Sequence, residues 1–137
     1  MARKISESSA DGDHRVVLVV EDEPLLTLHL QSILEDNAYN VLGPVGTVDE
    51  ALRLLARELP DLAVLDANLH GHPVVPVAKH LRSLQIPFIL ASANKRFDFE
   101  DSEVLAEAEN VGKPFTPRQV LAALERLDAS GGLSRGF

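Results

Sequence analysis

Several side chains with phosphoryl-handling chemistry each follow a short apolar run in this sequence. Glu21, Asp22 and Glu23 come directly after Val16-Val17-Leu18-Val19-Val20, and Asp66 comes directly after Leu62-Ala63-Val64-Leu65. Ser92 closes the run from Phe88 to Ala91, and Lys113 sits in Val111-Gly112-Lys113-Pro114-Phe115. Mg²⁺ takes oxygen ligands in an octahedron and keeps several waters, so one or two carboxylates suffice to hold it. A carboxylate can attack phosphorus to form an aspartyl-phosphate. A metal would offset the repulsion between those two anions. A lysine can pair with phosphoryl oxygens as a point charge, and a serine hydroxyl can donate to one of them. Each residue also has a plainer role. An acidic cluster ahead of a helix favours its N-terminus, the lysine can be a surface residue before a turn, and the serine can cap a loop. The agreement in order and placement is what points to chemistry.

The elements that must position these residues are legible as periodicity. Val16 to Val20 is an unbroken β-branched and leucine run, the pattern of a strand buried on both faces. Pro24 suits the first turn of a helix, with an apolar stripe of Leu25, Leu26, Leu28, Ile33 and Leu34. A second strand is expected over residues 39–42, ended by Gly43-Pro44. Thr47 is placed to cap a helix carrying Ala51, Leu52, Leu55 and Leu59. The third strand delivers Asp66, and a loop from Ala67 to His72 leads into a helix near 73–84. Pro87 opens the fourth strand. The segment from Phe97 to Glu109 is expected to be helical, with Phe97 and Phe99 packed in the core. Val111-Gly112 makes a very short fifth strand. Thr116 caps a last helix with Pro117 at its first position and Val120, Leu121, Leu124 and Leu127 on its inner face. Five β-α units joined by right-handed crossovers build a parallel sheet covered on both faces. Strand ends in such a sheet share one edge, where ligands bind.

Composition narrows the function classes. A chain of 137 residues is expected to fold as one domain over 15–128, with an N-terminal tail over 1–14 and a C-terminal tail over 129–137. No apolar run approaches the ~20 residues of a bilayer span, and the N-terminus lacks the apolar core of a secretory signal. No membrane partner is expected. The net charge of −8 argues against direct nucleic-acid binding, which needs clustered Lys and Arg. Zero cysteines exclude disulfides and thiolate chemistry, and they fit a cytoplasmic protein. His70 and His72 flank Gly71 without a third metal ligand at usable spacing, and His29 and His80 fall inside helices without an evident partner.

Val-Val-Glu-Asp-Glu-Pro at 19–24, Leu-Asp-Ala-Asn-Leu at 65–69, Ala-Ser-Ala at 91–93 and Gly-Lys-Pro-Phe at 112–115 resemble the receiver domain of two-component response regulators. The resemblance covers residues 15 to 128. It implies a (βα)5 doubly wound, flavodoxin-like fold with a five-stranded parallel sheet in the order 2-1-3-4-5. Asp66 would be the phosphoacceptor, and Glu21 and Asp22 the acidic pair, with Asp22 the more direct Mg²⁺ ligand. Asn68 would lend its backbone carbonyl to the metal, Ser92 would be the hydroxyl switch residue, and Lys113 would sense the phosphoryl group. Residues 73–78 with Gln85-Ile86-Pro87-Phe88 are similar to single-domain receivers of alphaproteobacterial type. The Phe-Ala-Thr-Gly stretch frequent in that subgroup is replaced by Ile89-Leu90-Ala91-Ser92-Ala93-Asn94.

The implied function is a regulatory phosphoacceptor, not an enzyme. It would take its phosphoryl group from a sensor histidine kinase or phosphotransfer protein. Output would pass to a downstream protein target, with a phosphorylation-dependent homodimer as one form of it. Two departures bear on mechanism. Glu21 stands where aspartate is commoner, and Asn110 stands three residues before the lysine, where many receivers carry an aromatic that swings inward. Two other readings compete. A degenerate receiver would bind partners without being phosphorylated. A haloacid-dehalogenase-like phosphatase would use Asp66 as nucleophile, but it calls for a second Asp where Asn68 stands.

Overall fold

Val17, Val19, Leu62, Val64 and Ile89 pack into one hydrophobic cluster, while Leu18, Val20, Ala63, Leu65, Phe88 and Leu90 pack into another. Side chains alternate across a strand, so these sets are the two faces of one sheet buried on both sides. The computed structural model describes residues 14–94 and 101–136, with side chains through residue 129. Phe97 and Phe99, and the helix start expected near them, lie outside the described residues.

The elements, in chain order, are β1 (Val16–Val20), α1 (Pro24–Glu35), β2 (Asn40–Val45), α2 (Val48–Leu55), β3 (Leu62–Leu65), β4 (Asn68–Leu69), β5 (His72–Pro73), α3 (Val75–Ser83), β6 (Phe88–Leu90), α4 (Glu103–Ala106) and α5 (Pro117–Gly136). The main sheet is parallel with order β2-β1-β3-β6. The fifth strand expected at Val111-Gly112 is instead a single parallel bridge one residue earlier, Leu90 to Asn110, beyond β6. It stops there because Gly112, at φ +83°, turns the chain away. The order 2-1-3-4-5 therefore stands, with the last strand reduced to one residue. Helices α1 and α5 cover one face of the sheet, and α2, α3 and α4 cover the other.

Several local expectations shift. Strand β2 does not end at Gly43-Pro44 but runs through it to Val45. The register slips there, since Leu18 pairs with Leu42 and Val20 with Val45, so β2 carries one extra residue as a bulge. Gly43 is required at φ +94°, because a Cβ would stand 3.0 Å from Val45 N and 3.2 Å from Val19 O. A proline is tolerated because β2 is an edge strand. The α1 stripe holds at Leu26, Ile33 and Leu34 but not at Leu25 and Leu28. Leu30, Ile33 and Leu34 are its buried residues, whereas Leu25 and Leu28 are 80% and 63% exposed. Helix α2 ends at Leu55 and leaves Leu59 exposed, as the proline at 60 disfavours helical backbone before it. Helix α5 continues to Gly136, past the boundary placed at residue 128.

The caps behave as the residue types dictate. Thr47 Oγ1 accepts from Glu50 N at 3.1 Å. Thr116 Oγ1 accepts from Gln119 N at 3.1 Å while Gln119 Oε1 accepts from Thr116 N at 2.8 Å, a reciprocal capping box. The segment from Ala67 to His72 is not a plain loop but a two-residue hairpin, with Asn68 opposite Pro73 and Leu69 opposite His72. Its tip residues His70 and Gly71 both take positive φ, as the tightest hairpin turns require. Among the described residues, no helix is long and apolar enough to cross a membrane.

Candidate functional site at the carboxyl edge of the sheet

Register carries the site. Val20 pairs with Leu65 and Leu65 pairs with Leu90, so the residues that follow leave the sheet side by side. The ladder persists beyond the strands through Glu21 N to Val45 O, Asp66 N to Val20 O and Ala91 N to Leu65 O, all 2.9 Å. Glu21, Asp66 and Ser92 are consequently held in the rim of the core, at 2%, 6% and 2% exposure.

Lys113 closes the site from the far side. Its Nζ lies 3.0 Å from Asp66 Oδ2, 3.1 Å from Glu23 Oε1 and 3.3 Å from Glu21 Oε2. Burial alone would lower the Lys113 ammonium, but the hydrogen bond and charge of Asp66, then Glu21 and Glu23, raise it above its ordinary value. Glu21 responds in the opposite sense. Burial, then the neighbouring Asp66 charge, raise its carboxyl to about 7, against the lowering effects of the Glu23 amide and Lys113. Glu23 N donates to Glu21 Oε2 at 3.1 Å.

A carboxylate oxygen from each of Glu21, Asp22 and Asp66 lies within 4.8 Å of the others. Glu21 Oε1 is buried without a hydrogen-bond partner among the described residues. A buried, unpartnered oxygen costs free energy unless something satisfies it, and a cation among three carboxylates would. The donor set is all oxygen, which suits a hard divalent ion. The residues present therefore fit Mg²⁺. Asn68 reaches the cluster through its main chain, its N–H donating to Asp66 Oδ1 at 3.3 Å.

Ser92 is tied elsewhere. Its hydroxyl oxygen accepts from Asn94 N at 3.2 Å, and its amide donates to Asn110 Oδ1 at 3.1 Å. Three features escaped the sequence reading. Glu23 joins the Lys113 ion pairs, although it reads as a mere extension of the acidic cluster. His70 Nε2 lies 3.2 Å from Asp22 Oδ2, brought there by the hairpin. The His29 ring, without an evident partner in sequence, stacks on Phe115 with centroids 5.5 Å apart and planes 10° from parallel. Only the proximity of His70 to the strand end along the chain could have hinted at the second.

A family model of the response regulator receiver domain matches residues 17–125. The chain belongs to that family. Among curated relatives, this receiver is 32% identical over 117 residues to the alkaline phosphatase synthesis transcriptional regulatory protein PhoP of Bacillus subtilis, covering 83% of this chain and 48% of that protein. It is 27% identical over 118 residues to the transcriptional regulatory protein PdtaR of Mycobacterium tuberculosis, covering 81% and 55%. The receiver thus spans about half the length of these relatives. Among solved structures it resembles SdrG from Sphingomonas melonis Fr1, with TM-score 0.71 and 34% identity over 83% of this chain and 96% of that one. It also resembles the signal receiver domain of a modulated diguanylate cyclase from Desulfovibrio desulfuricans G20, with TM-score 0.78 and 27% identity over 89% and 99%. Receivers are regulatory phosphoacceptor domains of two-component signal transduction, so the phosphatase reading falls outside the family.

Proposed function

We propose that this receiver is a phosphorylation switch whose acceptor is Asp66. One observation carries the reading. Lys113 converges with Glu21 and Asp66 on a point where Glu21 Oε1 has no hydrogen-bond partner among the described residues, an arrangement that suits a cation and an added anion. A phosphohistidine on a sensor kinase or phosphotransfer protein is the donor.

An Asp66 carboxylate oxygen attacks phosphorus, the P–N bond breaks, and the imidazole leaves with the electron pair and takes up a proton from water. Bound Mg²⁺ would neutralise the spreading charge of the transferred group. Glu21 and Asp22, with the Asn68 main-chain carbonyl, would hold it. Lys113 turns from Asp66 toward the phosphoryl oxygens and stabilises them as a fixed charge. The Asn68 amide orients the carboxylate by donating to Asp66 Oδ1. Ser92, at the neighbouring strand end, donates its hydroxyl to the added phosphoryl group, and its loop follows.

Output passes by protein contact, which the net charge of −8 favours over nucleic acid. The test is borohydride reduction after treatment with a phosphohistidine donor and Mg²⁺, followed by peptide mapping. Homoserine at position 66 is expected, because borohydride reduces an acyl phosphate to the alcohol. Homoserine elsewhere, or none with a donor that labels a control receiver, would overturn the assignment.

A further inference from the structure

Asn110 occupies the point where main-chain pairing at the sheet edge runs out. Leu90 N donates to Glu109 O at 2.8 Å and Val111 N donates to Leu90 O at 2.9 Å. Beyond these bonds the chain turns at Gly112, and no further rung of the ladder forms among the described residues. The Asn110 side chain takes over. Its Oδ1 accepts from Ser92 N at 3.1 Å and from Gly112 N at 2.9 Å. Its Nδ2 donates to Asn94 O at 2.9 Å.

This set admits one amide orientation only. An oxygen accepts two hydrogen bonds and an amide nitrogen accepts none, so rotating the group by half a turn would aim N–H at N–H twice and oxygen at oxygen once. The two loops joined here carry the polar groups of the site. Ser92 and Asn94 lie after β6, and Asn94 N in turn fixes Ser92 Oγ at 3.2 Å. Gly112 immediately precedes Lys113, whose ammonium lies on Asp66. A displacement of either loop alone would lengthen a bond to the same oxygen atom. A cleft of about 460 Å³ lined by Ala93, Asn110, Val111, Gly112, Lys113 and Pro114 lies beside the site.

We infer that Asn110 is a positioning residue that couples the Ser92 loop to the Lys113 loop through a single carboxamide oxygen, so that the two move as one unit. It performs by hydrogen bonding what an aromatic at this position, absent here, would have to do by packing. The coupling belongs to the unmodified protein; its consequence for signalling rests on Asp66 as the phosphoacceptor.

Amide hydrogen exchange on the full chain tests the coupling directly, with Asn110→Leu removing the acceptor at similar volume and Asn110→Asp retaining it. In Asn110→Leu, protection of the Ser92 and Gly112 amides should fall together, each by about tenfold. In Asn110→Asp both should stay near wild type, although the bond to Asn94 is lost. Loss at one amide alone, at neither, or equally in both variants would overturn the inference. Thermal melts establish that the variants are folded, and Asn110→Ala, which also lacks an acceptor, supplies the same comparison if Asn110→Leu is not. Acetyl phosphate and Mg²⁺ form a second arm, in which the Ser92 and Gly112 resonances of the wild type shift together and those of Asn110→Leu do not. Separate shifts in the wild type would also overturn the coupling. A wild type that takes no phosphoryl group contradicts the Asp66 assignment alone, because the exchange comparison needs none.

Discussion

The Lys113 ammonium lies 3.0 Å from Asp66 Oδ2, nearer than it lies to Glu21 or Glu23, and its side chain is only 16% exposed. It is the cation among carboxylates that the sheet edge forces together. Removing it leaves Glu21 and Asp66 buried beside one another with no other cation paired to either among the described residues, and an uncompensated buried charge is expensive. Lys113→Ala should therefore lose about 2–4 kcal/mol at pH 7.5 without Mg²⁺. Added Mg²⁺ should recover much of that loss by binding only the folded protein. Urea melts with and without the ion measure both effects.

Glu21 makes stability depend on pH with a definite sign. Its carboxyl rises from 4.5 to about 7 on folding, so the folded chain holds a proton that the unfolded chain has released. Its contribution is complete below pH 4.5 and is lost as pH rises through about 7. The span corresponds to up to about 3 kcal/mol. Glu21→Gln, which keeps a neutral group of the same shape, should flatten this trend and stabilise the Mg²⁺-free protein above pH 7. Mg²⁺ affinity of the wild type should fall as pH drops below about 7, since the proton and the ion compete for one carboxylate. Stability curves against pH, and calorimetric Mg²⁺ titrations at pH 6 and 8, check the pair.

Gly112 holds φ +83°, and a Cβ there would meet nothing within 4 Å. Gly112→Ala should thus cost only the left-handed backbone strain, about 1 kcal/mol. Any relaxation of that strain moves Lys113, the next residue. Phosphoryl labelling should slow by more than the stability loss explains, and a labelling time course beside a thermal melt separates the two.

Thr47 provides the opposite case, a residue whose side chain caps a helix. Its Oγ1 caps α2 by accepting from Glu50 N. Thr47→Ala should cost about 1 kcal/mol and leave the labelling rate unchanged under conditions where the variant is folded.

The legible part of the molecule is what local pattern decides. Apolar runs such as Val16 to Val20 announce buried strands, and the acids and lysine after them mark the edge where they meet. The caps at Thr47 and Thr116 follow from residue type alone. What was not legible depends on phase and on contacts distant in sequence. Leu25 and Leu28 read as one stripe with Ile33 and Leu34, and only docking against the sheet decides that the first two stay exposed while Leu30 turns inward. Gly43-Pro44 reads as a strand end, but the neighbouring β1 lets β2 continue past it by a bulge. The sequence marked Asn110 as a missing aromatic. Its three hydrogen-bond partners on two loops exist only once β6 and the bridge beside it are built.

The most direct test of the account is the intact mass of the full chain after incubation with acetyl phosphate and Mg²⁺, beside Asp66→Ala. The account predicts one phosphoryl adduct on the wild type, absent from Asp66→Ala and absent when Mg²⁺ is withheld. An adduct that persists in Asp66→Ala would contradict it. So would a wild type that neither gains an adduct from acetyl phosphate or a phosphohistidine donor nor binds Mg²⁺, which would leave a binding module that works without phosphorylation.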